Sequence, residues 1–76
     1  MDIKIIGENS SNRIKLLKNV NKAIKNLNGK FEITLLEDKN KYGITNTPSL
    51  VINEKIVSQG KVLTDREITN YIKVLS

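Results

Sequence analysis

The stretch TNTPSLVINEKIVSQG, Thr45 to Gly60, holds two short apolar runs on either side of a polar step. Pro48 stands before Leu50–Ile52, and Asn53-Glu54-Lys55 separates that run from Ile56-Val57. Short Ile- and Val-rich runs bounded by Pro and Gly, with a few polar residues between them, read as two strands joined by a tight turn. The segment after the hairpin is equally legible. Thr64-Asp65-Arg66-Glu67 is a capping box, in which Thr64 and Glu67 satisfy each other's backbone donors. Ile68, Tyr71, Ile72 and Leu75 then form the expected buried stripe of a last helix.

Working toward the N-terminus, Asp2–Ile6 alternates with Ile3 and Ile5 on one face, and the adjacent Ile6 predicts burial of both faces near the strand's end. Gly7 to Ser11 is polar and turn-prone. Ile14, Leu17, Val20, Ile24 and Leu27 recur at helical spacing, with Leu16 and Ala23 widening the stripe, and predict a helix of about 16 residues. Asn28-Gly29 is the expected stop, since both residues tolerate left-handed geometry. Phe31 to Leu36 reads as a second strand. Glu37 to Ile44 is polar and short, and Gly43 could close one or two helical turns there.

The order is therefore β-α-β-(α)-β-β-α, one α/β domain over residues 1–76. Two strands joined through a helix are expected to be parallel with a right-handed crossover. Together with the hairpin this gives a central mixed sheet with helices on its faces.

Composition narrows the chemistry. The chain has 76 residues and neither Cys nor His, which excludes disulfides, thiol nucleophiles, Ser-His-Asp hydrolysis and zinc sites of the usual ligand set. No metal and no cofactor is expected. MDIKIIG lacks the length of a signal peptide, and no run approaches the roughly 20 apolar residues of a membrane span, so a cytoplasmic protein is the expectation. The net charge of +5 raises the question of nucleic acid. Lys outnumbers Arg eleven to two, and Lys, Asn and Ile fill 32 of the 76 positions, a bias that an AT-rich genome would impose. Two Tyr and one Phe do not interleave with the basic residues as a base-stacking surface requires. Lys15, Lys18, Lys22 and Lys25 could dock an acidic partner, but such a stripe is also the ordinary solvated side of an amphipathic helix. Tyr42 and Tyr71 read as packing residues with a wet hydroxyl.

From MDIKIIG to ITNTPSLVINEKIVSQGKVLTDREI the chain resembles the thioredoxin-like fold, and most closely the small bacterial and archaeal thioredoxin-like proteins called redox-active disulfide proteins. Three features carry the resemblance: Gly7 after strand one, Thr47-Pro48 entering strand three, and the hairpin followed by Gly60 before a capped helix. The resemblance implies that the family's Cys-x-x-Cys falls on Ser10-Ser11-Asn12-Arg13. There a thiol at a helix N-terminus would be held as thiolate by unpaired amides and the helix dipole. Ser10 cannot supply that chemistry and Arg13 cannot resolve a disulfide. The resemblance also implies a cis bond at Thr47-Pro48, facing the 10–13 loop, and a backbone at Thr47 that pairs with an extended substrate segment.

Three functions remain open at this level. The first is a protein of thiol-disulfide ancestry that is redox-inactive as written, through natural loss or through a Cys-to-Ser change at Ser10 of a monothiol parent. The second is a non-catalytic module that binds an extended peptide, or a small anion or thiol, with Ser10, Ser11, Asn12, Arg13, Thr47 and Pro48. The third is a nucleic-acid or acidic-surface binder using the Lys stripe. For the 10–13 corner, simple capping by Ser10 or Ser11 with a solvated Arg13 accounts for the same residues without any ligand. Monomer or weak dimer is the expected state.

Overall fold

A computed structural model describes residues 1–75. Its elements are β1 (Asp2–Ile6), α1 (Ser11–Lys25), β2 (Glu32–Leu36), a single 3-10 turn (Asn40–Tyr42), β3 (Ser49–Ile52), β4 (Lys55–Gln59) and α2 (Asp65–Leu75). The sheet order is β2-β1-β3-β4. β1 pairs with β2 in parallel, Ile3 opposite Ile33 and Ile5 opposite Leu35, while β1–β3 and β3–β4 are antiparallel. The sheet is thus mixed, as the hairpin and the crossover together require.

The helices cover the sheet unevenly. Ile3, Ile5, Leu50 and Ile52 on one face pack with Leu16, Val20 and Ala23 of α1 and with Ile68 and Ile72 of α2. The hydrophobic cluster on the opposite face is smaller, Ile6, Val51 and Ile44, with Leu36 and Tyr42 partly covering them. Each fully buried Ile or Leu contributes about 1.5–3 kcal/mol, against about 1 kcal/mol for a helix cap. The two-helix face therefore carries most of the stability, and the caps set where the helices begin.

Several boundaries differ from the sequence expectation. α1 stops at Lys25 rather than at Asn28-Gly29, because the Leu27 amide donates to the Ile24 carbonyl, 3.1 Å, and tightens the last turn. Ile14 is half exposed, not part of the buried stripe. The stripe runs through Leu16, Val20 and Ala23, and a residue two positions before Leu16 lies about 200° around the helix. Tyr71 also leaves the stripe expected of α2; it is 38% exposed beside Val74, which is 80% exposed. It sits about 80° from the line midway between Ile68 and Ile72, at the margin of the buried face. The hairpin turn is shorter than Asn-Glu-Lys: Asn53 and Glu54 take φ of 50° and 66°, and Lys55 already belongs to β4. Two successive positive φ values match the right-handed twist of the flanking strands. The Asn53 side chain holds its end of the turn, its Oδ1 accepting the Asp2 amide at 3.0 Å. The polar segment before β3 forms only the 3-10 turn, closed by Gly43 at φ 67°. The capping box forms as read: the Glu67 amide donates to Thr64 Oγ1 at 3.2 Å, and the Thr64 amide donates to Glu67 Oε1 at 3.1 Å.

Candidate functional site

The site grows out of Gly7, where β1 ends. Its amide donates to the Leu36 carbonyl at 2.8 Å, extending the parallel pairing with β2 by one step. Its carbonyl accepts Arg13 Nη1 at 3.1 Å. Its φ is +153°, and a Cβ placed on it would stand 3.2 Å from Thr47 Cβ and 3.4 Å from Pro48 Cα. A side chain here is disfavoured by backbone conformation and by space at once. Glycine lets the Thr47-Pro48 segment lie directly on the end of β1.

Thr47 and Pro48 are held in that position from behind. The peptide bond between them is cis. Ser49 Oγ donates to the Asn46 carbonyl at 2.6 Å, the Gly60 amide donates to the Pro48 carbonyl at 2.9 Å, and the Thr45 amide donates to Gln59 Oε1 at 3.1 Å. Pro48 and Ser49 are buried while Thr47 is exposed. Among the described residues no hydrogen bond engages the Thr47 backbone.

In the loop after β1, Ser10 is the N-cap of α1, with extended φ and ψ of −143° and 166°. Its Oγ accepts the Arg13 amide at 3.2 Å, and its carbonyl accepts the Ile14 amide at 3.0 Å. Ser10, Ser11 and Asn12 are exposed and Arg13 is half buried. The Arg13 guanidinium turns back along the loop onto Gly7. Arg13, Thr47 and Pro48 thus meet through Gly7, and the capping role of Ser10 is realised in geometry. Sequence reasoning missed the Arg13–Gly7 tie, since nothing in the spacing says whether a first-turn arginine points outward or folds back.

Beside Thr47 lies a polar cavity of about 350 Å³ lined by Glu8, Glu37, Asp38, Lys39 and Asn40. Asp38 Oδ1 accepts the Asn40 amide at 2.9 Å and so starts the 3-10 turn that forms one wall. Among the described residues no group of acidic side chains is arranged to hold a metal ion.

A second cluster, unforeseen from the sequence, lies on the sheet face without helices. Lys4 reaches from β1 to Asp2 at 3.0 Å and forms an ion pair with Glu54, while Tyr42 Oη donates to Glu54 Oε2 at 2.8 Å. Lys4 Nζ also lies 5.6 Å from the centre of the Tyr42 ring. Hydrogen bonds to Glu54, Tyr42 and Asp2, in that order, push the Lys4 ammonium above its usual range, and Lys4 followed by Tyr42 holds the Glu54 carboxyl below its own. Alternation in DIKII did place Lys4 on the face opposite Ile3 and Ile5, but its partners come from the 3-10 turn and the hairpin. Lys15, Lys18, Lys22 and Lys25 are all exposed along α1, on the side away from Leu16, Val20 and Ala23. Among the described residues no helix is long and apolar enough to cross a membrane.

The family model for the thioredoxin domain matches residues 1–73. No curated protein and no solved structure matches the chain.

Proposed function

The chain belongs to the thioredoxin domain family, and from that premise we propose that it is a thiol-free member that works by binding rather than by disulfide exchange. Its ligand is an extended peptide segment, which adds to the exposed backbone at Thr47 across from the Ser10–Arg13 loop. The observation that carries this reading is Thr47, an exposed residue whose backbone makes no hydrogen bond among the described residues, seated on Gly7 and lining a polar cavity. A backbone with unpaired groups offers donors and acceptors that a second, extended chain can satisfy, with side-chain pockets adding selectivity. Dithiol chemistry has no residue to act through, since the sequence contains no cysteine; the resemblance implies that Ser10 and Arg13 stand where the family's cysteines fall.

A small anion at the same corner is the less supported reading. The Arg13 amide is taken by Ser10 Oγ and one guanidinium N–H by the Gly7 carbonyl, while Glu8, Glu37 and Asp38 line the adjoining cavity. Those carboxylates oppose a second negative charge. The test is an amide-shift titration with short extended peptides. Shifts confined to residues 7–13 and 45–49, insensitive to salt and lost with backbone N-methylated peptides, support strand addition. Shifts along Lys15–Lys25 that collapse with salt would support an acidic-surface binder instead.

A further inference from the structure

Asn28-Gly29 ends neither α1 nor any other element in the way its composition suggests, and the structure leaves it with no structural work. α1 is already closed by the Leu27 amide on the Ile24 carbonyl, and the chain is fixed again at Lys30, whose carbonyl accepts the Met1 ammonium at 2.7 Å. Next, the Glu32 amide donates to the Met1 carbonyl at 3.0 Å. Between these two anchors Asn28 and Gly29 are both exposed, and among the described residues no hydrogen bond engages the Asn28 side chain or the Gly29 amide. Gly29 has φ +133°, and a Cβ there would meet only the Phe31 ring, at 3.7 Å. The pair borders an open cavity of about 290 Å³ reached by water, lined also by Met1, Leu27, Lys30 and Phe31.

From this placement we infer that Asn28 is a site of spontaneous deamidation in the native protein, at the end of the sheet opposite Thr47. The Gly29 nitrogen attacks Cγ of Asn28. An N–Cγ bond forms, the C–Nδ2 bond breaks, and Nδ2 leaves as ammonia carrying the proton that Gly29 gives up. The resulting succinimide is opened by one water. Cleavage at Cγ gives aspartate, and cleavage at the main-chain carbonyl gives isoaspartate, with the chain rerouted through the former side chain. No redox change occurs, and net charge falls by one from +5. Glycine at the second position matters because no side chain shields the attacking nitrogen and because the backbone can reach the required conformations.

The other asparagines are placed less favourably. Asn53 and Asn19 have their side chains engaged, by the Asp2 amide and by the Leu63 carbonyl. Asn12 precedes an amide taken by Ser10 Oγ, and Asn26 precedes one taken by Ile24. Asn9 and Asn46, exposed before Ser10 and Thr47, are the internal competitors, each with a side chain on the next residue, and Asn28 is the one asparagine of the sequence followed by glycine.

The experiment incubates the intact protein at mildly alkaline pH, natively and in urea, and tracks each asparagine by peptide mass mapping with isoaspartate quantified. The expected result is Asn28 converting first, with isoaspartate in excess, an acidic shift of one charge in isoelectric focusing, and native and urea rates within a factor of a few. Asn28→Gln should abolish that shift while the circular dichroism spectrum stays unchanged. A native rate many-fold below the urea rate would show that the fold protects the pair and would overturn the inference. So would Asn9 or any other asparagine converting before Asn28.

Discussion

Replacing Gly7 with alanine tests the point on which the whole site turns. At φ +153° an L-residue carries strain of about 1–3 kcal/mol. The new Cβ, 3.2 Å from Thr47 Cβ and 3.4 Å from Pro48 Cα, adds an overpacking cost of about 1–3 kcal/mol. Restricting the unfolded chain returns only about 0.4–1 kcal/mol. The net loss centres on about 3 kcal/mol within a range of about 1–6, out of a total of about 4–11 kcal/mol expected for a domain of this size. Urea unfolding monitored by circular dichroism reads it directly, and thermal unfolding should show a drop of roughly 10–25 °C. Gly43→Ala is the matched control. Its φ of +67° is also left-handed, but nothing lies within 4 Å of the added Cβ, so after the same unfolded-chain gain it should cost only about 0–1.5 kcal/mol. If Gly7→Ala costs no more than Gly43→Ala, the close seating of Thr47-Pro48 on β1 is not a stabilising feature and the reasoning is wrong.

The caps and the charges offer two other perturbations. Ser10→Ala should cost about 1 kcal/mol in urea unfolding, whereas Ser10→Asp should hold or slightly raise stability because a carboxylate suits both the cap and the helix dipole; equal losses in both variants would argue against capping by Ser10. For the Lys4 cluster, Glu54 is depressed in the folded state, so its contribution is present above the unfolded value of about 4.3 and fades as pH falls through the lower folded value. Lys4 is raised, so its contribution is complete below about 10.4 and fades as pH rises through the higher folded value. With Asp2, Tyr42 and Lys41 the other charged or titratable groups around it, the gap in urea midpoint between the protein and Lys4→Met should be widest from about pH 5 to 9 and narrow on both sides. A gap independent of pH would remove the ion pairs from the account.

The sequence displayed the parts whose signal is local and periodic. DIKII, the hairpin and the Thr64–Glu67 capping box depend on neighbours within a few residues, and each appears in its expected place, the hairpin turn one residue shorter than Asn-Glu-Lys. Ile14 and Tyr71 went wrong because a helical stripe fixes spacing but not rotation, and rotation is set by the sheet beneath. Asn28-Gly29 looked like a stop because its composition suits one, yet Leu27 was needed against the core and the helix closed before it. In the site, the capping role of Ser10 was legible as local chemistry. The fold-back of Arg13 onto Gly7 and the reach of Lys4 to Glu54 were not, since both depend on a course of the chain that only the tertiary structure fixes.

The most direct test of the central claim, a thioredoxin-fold site kept in shape without its sulfur, is a disulfide-exchange assay on the protein beside Ser10→Cys with Arg13→Cys. The account predicts no exchange by the protein itself and a clear gain by the double variant, because Arg13 of the first helical turn and the Thr47-Pro48 segment both rest on Gly7. A double variant that folds, holds its two thiols and still fails to reduce a model disulfide would contradict it.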